Sequence, residues 1–211
     1  LGTRSYWVID GLEIRHGQGH GIGTWSSGGL GHNTIQNCCI HHNRGMGIYG
    51  RFNDYSVYRR NYVVLNDGGI TSAGSSHVLI EENEVGWNDY DGVLPTGPGA
   101  DAEGNPLWWA DGVTLRHNYI HDHYKWAHPD NAQSYNFVSN LTVEDNLFLH
   151  AVQSFMMEET EDTLYRNNVI IGAAAYSIIL GHGNTYNTTF EHNTLMFSGY
   201  GLVAHSGWGY H

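Results

Sequence analysis

The chain has 211 residues, of which 28 are glycine and 13% are aromatic, while only 14% are charged. This composition argues against disorder, which goes with few aromatic residues and much charge, and it fits turn-rich β structure. The formal net charge of −12 argues against nucleic-acid binding, which needs a basic surface. No apolar run approaches the length of a membrane span, and the chain is long enough to enclose one large core.

One six-residue phrase recurs along the chain: an apolar residue, two variable residues, Asn, another variable residue and a second apolar residue. In chain order the copies read IDGLEI, IQNCCI, YRRNYV, IEENEV, LRHNYI, VEDNLF, YRNNVI and FEHNTL. The Asn position, here called the Asn column, holds in chain order Leu12, Cys38, Asn61, Asn83, Asn118, Asn146, Asn168 and Asn193. Most copies are followed by a small residue and an apolar one, as in Gly47-Ile48 and Gly69-Ile70.

These short apolar strands, separated by turn residues, have a period of about 22 residues and predict a parallel β-solenoid. The Asn side chains are predicted to point inwards at a turn and to form an amide ladder along the stack. A propeller or a sandwich fits less well, because the Asn column keeps its place relative to its apolar neighbours through six coils. A helical fold is disfavoured because the chain lacks a 3.6-residue period.

The segments NTIQNCCIHHNRGMGI and VTLRHNYI resemble the repeats of the right-handed parallel β-helix, or pectate-lyase-like, superfamily. The resemblance extends over nearly the whole chain. It implies an all-β fold, with a single right-handed parallel β-helix domain over residues 1–211 that has about eight coils and a loop inserted around residues 94–109. The superfamily includes polysaccharide lyases, glycoside hydrolases, uronan epimerases and phage tailspikes, so the resemblance implies a polysaccharide partner without assigning one activity.

Two neighbouring coils carry insertions into the repeat. In the fourth coil, between Val93 and Asn118, the segment LPTGPGADAEGNPLWW has the Gly, Pro and small polar residues of a loop. In the fifth coil, extra residues lie within HDHYKWAHPD, residues 121–130, which also contains Lys125, the only lysine of the chain. Because functional residues concentrate in loops on rigid scaffolds, we predict a site across coils 4 to 6.

Counting along the repeat predicts that Asp91 and Asp130 lie at the same position of adjacent coils, about 4.8 Å apart along the axis. Two carboxylates that close share a proton or bind a cation. His121 and His123 would share one face of an extended segment and could contribute to such a metal site. Resemblance to β-helix lyases implies calcium as the ion, held by the two aspartates. The alternative for the histidines is an ordinary surface role, because residues 41–43 read HHN at the same turn of another coil.

Two mechanisms of polysaccharide cleavage remain open. In a lyase, Lys125 or one of the histidines 121, 123 and 128 removes the C5 proton of a uronate. In a hydrolase, Asp130 and a second acid divide the roles of acid and base or nucleophile. The scarcity of Lys and Arg argues against an uncompensated uronate site, but the lone lysine favours elimination slightly. The predicted catalytic residues are Lys125, His128, Asp130, Glu158 and Glu159.

Aromatic side chains from the same coils offer flat apolar faces to sugar rings. The predicted substrate-binding residues are Trp87, Trp108, Trp109, Trp126, Gln133 and Tyr135. A non-catalytic β-helix, such as a carbohydrate-binding or adhesive module or part of a tailspike, would explain the aromatic residues without needing the acids.

The expected polysaccharide substrate favours an extracellular or periplasmic location. No signal peptide is visible, but the chain begins at Leu1, so one could have been removed. Neither end has the polar-faced terminal coil that solenoids need, which leaves open an excerpt of a longer chain or a cap supplied by a partner. A homotrimer, as in tailspikes, also stays open.

Overall fold

The computed structural model describes residues 5–105, 107–123, 125, 129–181 and 183–204, and for residues 26–30 it describes the backbone alone. All regular secondary structure in these residues is β-strand, and the strands pair in parallel into a solenoid of about eight coils. The predicted all-β solenoid is therefore confirmed. The described residues contain no helix with the length and apolar character needed to cross a membrane.

The described residues contain 26 strands, and most have only two to five residues. In chain order they are β1 (Val8–Asp10), β2 (Glu13–Arg15), β3 (Ile22–Gly31), β4 (Thr34–Gln36), β5 (Cys39–His41), β6 (Met46–Asp54), β7 (Val57–Arg59), β8 (Tyr62–Val64), β9 (Gly68–Ala73), β10 (Leu79–Glu81), β11 (Glu84–Gly86), β12 (Val93–Thr96), β13 (Ala110–Asp111), β14 (Thr114–Arg116), β15 (Tyr119–His123), β16 (Asp130–Ser134), β17 (Val138–Ser139), β18 (Thr142–Glu144), β19 (Leu147–Met157), β20 (Thr160–Glu161), β21 (Leu164–Arg166), β22 (Val169–Leu180), β23 (Thr185–Tyr186), β24 (Thr189–Glu191), β25 (Thr194–Met196) and β26 (Tyr200–Ala204).

The strands form three parallel sheets that run along the axis of the solenoid. The first sheet has one three-residue strand per coil, in the order β1-β4-β7-β10-β14-β18-β21-β24. The second sheet contains the strands on both sides of the next corner, and β19 and β22 join its two halves by running through that corner. The third sheet has four short strands in the order β13-β17-β20-β23. Because successive coils pair in register, residues at equivalent positions form rows along the solenoid.

The apolar positions of the repeated phrase form the rows of the core. The first apolar residue of the phrase gives a row of fully buried side chains: Ile35, Tyr58, Ile80, Leu115, Val143 and Tyr165. The last apolar residue gives a second buried row: Ile40, Val63, Val85, Ile120, Phe148 and Ile170. Burying one such side chain contributes about 1.5–3 kcal/mol, so stacking supplies the core that no single coil can enclose.

The Asn column forms a buried ladder, as the sequence predicts. From Asn61 onwards to Asn193, each side-chain amide donates to Oδ1 of the Asn on the next coil at 3.0 Å. Each of these amides also donates to a carbonyl oxygen of the preceding coil, as Asn118 does to Ile80 at 2.8 Å. Both amide protons therefore have partners, as buried polar groups require, and the ladder holds the coils in register.

A second buried ladder runs five residues after the Asn column, and the search for the repeat missed it. The amide of Asn43 donates to Oδ1 of Asn66 at 2.9 Å, and the amide of Asn66 donates to Oδ1 of Asn88 at 3.3 Å. On the fifth coil this position is occupied by His123, which pairs in register with Ala151 of the sixth coil. The amide ladder therefore ends at the coil that carries the second insertion.

The inserted loop begins later than the sequence predicts. Residues Val93–Thr96 continue the ladder as β12, in register with β9. Of the described residues, 97–105 and 107–109 therefore belong to no strand, and β13 follows them.

Candidate functional site

The two insertions border one outer surface of the second sheet, here called the insertion face. It is formed by residues 20–25, 46–51, 67–73, 89–96, 130–135 and 153–158 of the first six coils.

Asp91 and Asp130 lie at the same position of adjacent coils, where the repeat placed them. The backbone N–H of Asp130 donates to Oδ1 of Asp91 at 2.8 Å, and the N–H of Gly92 donates to the carbonyl oxygen of Asp130 at 2.9 Å. Asp91 is half-buried, whereas Asp130 is 0% exposed. Of the two carboxylates, only Asp91 can therefore meet a substrate without rearrangement.

Tyr135 lies on the insertion face, five residues after Asp130 along the chain. It forms a parallel bridge with Thr96 of the fourth coil, and on its other side Glu158 donates its backbone N–H to the carbonyl oxygen of Ser134 at 2.8 Å. Burial raises the pKa of the Tyr135 phenol, and the negative charges of Asp91 and Glu158 raise it further. The phenol is therefore protonated at neutral pH and can donate a hydrogen bond.

Lys125 lies at the edge of the insertion face, where its Nζ forms an ion pair with Oδ2 of Asp89. This hydrogen bond raises the pKa of Lys125, and the charges of Asp89 and Asp67 act in the same direction. Both side chains of the pair are more than a third exposed, so water screens the attraction between them. A Lys125 amine would have to leave this pair and lose a proton before it could act as a base.

Asp67 adds a third carboxyl group to this part of the surface. Burial raises its pKa, and the neighbouring charge of Asp89 raises it further, while Lys125 and His20 act in the opposite direction. The insertion face is therefore rich in carboxyl groups around Asp67, Asp89 and Asp91, and the ammonium group beside them is already paired.

His121 and His123 do not share a face, so that prediction is wrong. The ring of His121 stacks on Tyr119 outside the sheet, with centroids 4.1 Å apart, and its Nδ1 contacts Oδ2 of Asp122 at 2.8 Å. Asp122 between them has a left-handed φ of 58°, which turns the chain at a corner and breaks the alternation of an extended strand. His123 consequently points into the core, where it is 0% exposed.

The predicted metal ligands therefore point in different directions: His123 lies inside the coil, His121 packs on its outer side with 1% exposure, and Asp130 is buried. Within the ranges that the structure describes, no three His, Cys, Asp or Glu side chains are grouped so that they could hold a metal ion. Calcium binding remains a prediction from the resemblance.

His123 replaces an amide in the second ladder. One ring nitrogen, Nδ1, lies 3.4 Å from the carbonyl oxygen of Asn88, while Nε2 is buried and has no hydrogen-bond partner among the described residues. A second proton would therefore put a charge in the core, where the backbone of Asn88 and Val85 offsets only part of the cost of burial. Burial accordingly lowers the pKa of His123 to about 4 from an ordinary value of 6.5.

Replacing His123 by asparagine is expected to remove a pH-dependent loss of stability. Between pH 6.5 and 4 the unfolded chain takes up a proton at His123 and the folded chain does not, so stability falls as the pH falls. The difference in pKa corresponds to about 3 kcal/mol once the pH is below both values. Urea unfolding at pH 7 and pH 4 should show this loss shrinking in His123→Asn. The exposed control His117→Asn should retain the pH-dependent loss of stability. If the unfolding free energy fell by the same amount between pH 7 and pH 4 in both variants, a lowered pKa of His123 would be excluded.

The remaining predicted residues are divided among several surfaces. Trp87 lies round a corner of the coil, edge-on to His121 with ring centroids 4.5 Å apart. Trp108 and Trp109 belong to the inserted loop, where they pack against Phe52 and Phe137 at 5.2 and 5.5 Å respectively. Among the described residues, none of these three indoles forms a ring contact with Tyr135.

Two predicted residues next to the insertion face have different neighbours. The side-chain amide of Gln133 lies 3.6 Å from Sδ of Met156, on the same face as Tyr135. Glu159 has a left-handed φ of 51°, and its side chain lies against Gly183, away from Glu158. Trp126 and His128 lie outside the described residues.

The arrangement of the coils places this chain among the parallel β-helices. A family described as the right handed beta helix region matches residues 1–105 and 88–210, which together comprise nearly the whole sequence. The chain belongs to this family, and the resemblance noted in its repeats is confirmed. No curated protein matches it in sequence.

Two solved structures share the fold at low sequence identity. The A-module of mannuronan C-5 epimerase AlgE4 from Azotobacter vinelandii is 16% identical, with a TM-score of 0.59 over 95% of this chain. PfbA, a surface adhesin of Streptococcus pneumoniae, is 12% identical, with a TM-score of 0.55 over 99% of this chain. The chain spans 62% of the epimerase module and 64% of the adhesin, less than two thirds of either. At these identities the similarity shows the fold alone.

Proposed function

We propose that this β-helix is an enzyme that cleaves glycosidic bonds of a polysaccharide on the insertion face, using Asp91, Tyr135 and Glu158. The observation that supports this proposal is the hydrogen bond from the N–H of Asp130 that fixes the accessible Asp91 carboxylate on the insertion face, the face that also carries Tyr135 and Glu158. Two carboxyl groups can divide the roles of acid and base, and a fixed phenol can hold a sugar hydroxyl or the leaving oxygen by a hydrogen bond.

We assign the role of base to Asp91. A backbone N–H donates to its Oδ1, and such a hydrogen bond stabilises the ionised carboxylate. Ionised Asp91 would take a proton from water as that water attacks the anomeric carbon. Glu158, on the sixth coil, would then give a proton to the oxygen of the departing sugar. Asp130, which the sequence predicted to be catalytic, is not a catalytic residue in this proposal. It positions Asp91 through the hydrogen bond from its backbone N–H.

Hydrolysis of an uncharged glycan suits the electrostatics of this surface best. The carboxyl groups of Asp67, Asp89 and Asp91 would repel a polyuronate, and the Lys125 ammonium is already paired with Asp89. The formal net charge of −12 acts in the same direction over longer distances.

Elimination on a uronate-containing glycan is the second candidate, because the only lysine of the chain lies beside the insertion face. A uronate that displaced Asp89 could bind the Lys125 ammonium. The epimerase module that shares the fold is named for chemistry at C-5 of mannuronan. Either activity would fit an extracellular or periplasmic enzyme.

The products distinguish these reactions from each other and from binding alone. Hydrolysis gives only new reducing ends, whereas elimination also gives an unsaturated uronate that absorbs in the ultraviolet. We expect reducing ends without ultraviolet absorption, from a neutral member of a panel of polysaccharides. Lys125→Ala should then change the rate by less than about threefold, since an exposed ion pair contributes little.

Loss of activity in Lys125→Ala together with ultraviolet-absorbing products would establish elimination instead. If no member of the panel is cleaved, the proposal of an enzyme fails, and the role of a binding or adhesive module takes its place.

A further inference from the structure

We propose that His20, Trp25 and Tyr49, here called the aromatic shelf, bind an uncharged sugar ring on the first two coils, so that the glycan lies along the axis of the solenoid. The inference rests on the proposed function, because it treats the shelf as a distal sugar-binding subsite of Asp91, Tyr135 and Glu158, here called the reaction site. Sequence inspection did not single out any of these three residues.

The three rings of the aromatic shelf form an open corner. His20 and Tyr49 stack with centroids 4.5 Å apart and an angle of 7° between their planes. The indole of Trp25 stands at 54° to His20 and 55° to Tyr49, at 5.8 and 5.7 Å. Trp25 remains 47% exposed, although indole is the largest apolar side chain that could be covered. A sugar ring could therefore contact two aromatic faces at once.

The aromatic shelf is fixed before any ligand binds. The indole of Trp25 lies over Gly23, where a Cβ atom would stand 2.7 Å from indole Cζ3. On the other side, the backbone N–H of Met46 donates to Nδ1 of His20 at 3.0 Å, which fixes the imidazole ring and leaves its proton on Nε2. Fixed rings lose little conformational entropy on binding, so such a surface binds more tightly than a mobile one.

The aromatic shelf shares the insertion face with the reaction site. Tyr49 pairs in register with Thr71, and Thr71 pairs with Leu94 on the coil that carries Asp91. Two coils correspond to about 10 Å along the axis, a distance that an oligosaccharide can span and a single sugar cannot.

The charge of the aromatic shelf selects an uncharged sugar. Burial lowers the pKa of His20, so its imidazole is neutral at pH 7 and supplies a polar N–H without a positive charge. The carboxyl group of Asp67 acts on His20 from the third coil, two coils away. Arg51 pairs in register with Trp25, but its guanidinium lies over the ring of Phe52, 4.7 Å from the centroid. The three rings of the shelf therefore offer a uronate no positive charge of their own.

The test measures binding separately from cleavage. Affinity electrophoresis through gels that contain mixed-linkage β-glucan, dextran or polygalacturonate would be run on proteins carrying Asp91→Asn, so that the glycan stays intact. We expect a neutral glycan to retard this protein, and an added Trp25→Ala to weaken the retardation by about tenfold or more. Trp25→Phe, which keeps a ring, should fall between them. Trp7→Ala is the matched control, because Trp7 is an exposed indole of the same coil outside the insertion face.

The outcomes separate this inference from the proposed function. If the protein cleaves no glycan but binds one, and Trp25→Ala abolishes that binding, the result would support the shelf and overturn the proposal that the protein is an enzyme. Cleavage with equal retardation of Trp25→Ala and Trp7→Ala would overturn the shelf alone. Retardation in the polygalacturonate gel alone would also overturn the shelf as a site for uncharged sugars. The absence of retardation in all three gels would do the same.

Discussion

Replacing Asn118 by alanine is expected to lower the free energy of unfolding by about 3–5 kcal/mol. The Asn118 side chain donates to the Ile80 carbonyl and to Oδ1 of Asn146, and its own Oδ1 accepts from the side-chain amide of Asn83 at 3.0 Å. Alanine would leave these buried groups of three coils without partners and would add a cavity. Urea unfolding followed by circular dichroism measures the change.

Asn193→Ala is the matched control for that variant. Asn193 occupies the same column on the last described coil, but it is only half-buried and accepts from Asn168 on one side. Water can replace part of the hydrogen bonding of the Asn193 amide, so we expect the free energy of unfolding to fall by only about 1 kcal/mol. Equal losses in the two variants, or a loss below about 1 kcal/mol for Asn118→Ala, would show that the ladder does not stabilise the coils.

The sequence predicted the interior of this protein better than its surface. Inward rows repeat in every coil, so the Asn column and its apolar neighbours define the register by simple counting. The same counting brought Asp91 and Asp130 together across 39 residues of chain. The second ladder at Asn43, Asn66 and Asn88 also recurs at a fixed distance from the Asn column. Comparing the residues five places after the Asn column would have found it, together with its interruption at His123.

The directions of surface side chains depend on backbone conformations that the residue types do not reveal. The left-handed φ of Asp122, which sends His121 and His123 to opposite sides of the coil, recurs four residues after the Asn column on other coils, as at Leu65 and Trp87. The residues at this position differ so much in type that the sequence gives no signal for the turn. The ion pair of Lys125 with Asp89 depends on the length of an insertion and on two exposed rotamers. Outward residues face solvent, so they are not constrained as the core rows are, and their neighbours become visible only in three dimensions.

Asp91→Asn is expected to reduce kcat on a cleaved polysaccharide by about 10²–10⁴-fold. The amide has nearly the shape of the carboxylate, and its oxygen can still accept the N–H of Asp130, so the fold should be retained. The substitution removes the charge that would take the proton from water. Initial rates of reducing-end release, with thermal unfolding as a check on folding, measure the effect.

Asp122→Asn provides the control for Asp91→Asn, because it removes one carboxylate from a different surface, where Asp122 contacts His121 and His150. Its rate should stay within about twofold of the unmodified protein, since charges on separate surfaces act nearly independently. A folded Asp91→Asn protein with a full rate would exclude Asp91 as the base. A rate that fell equally in both variants would mean that the overall charge of the protein, and not the Asp91 carboxylate, controls the reaction.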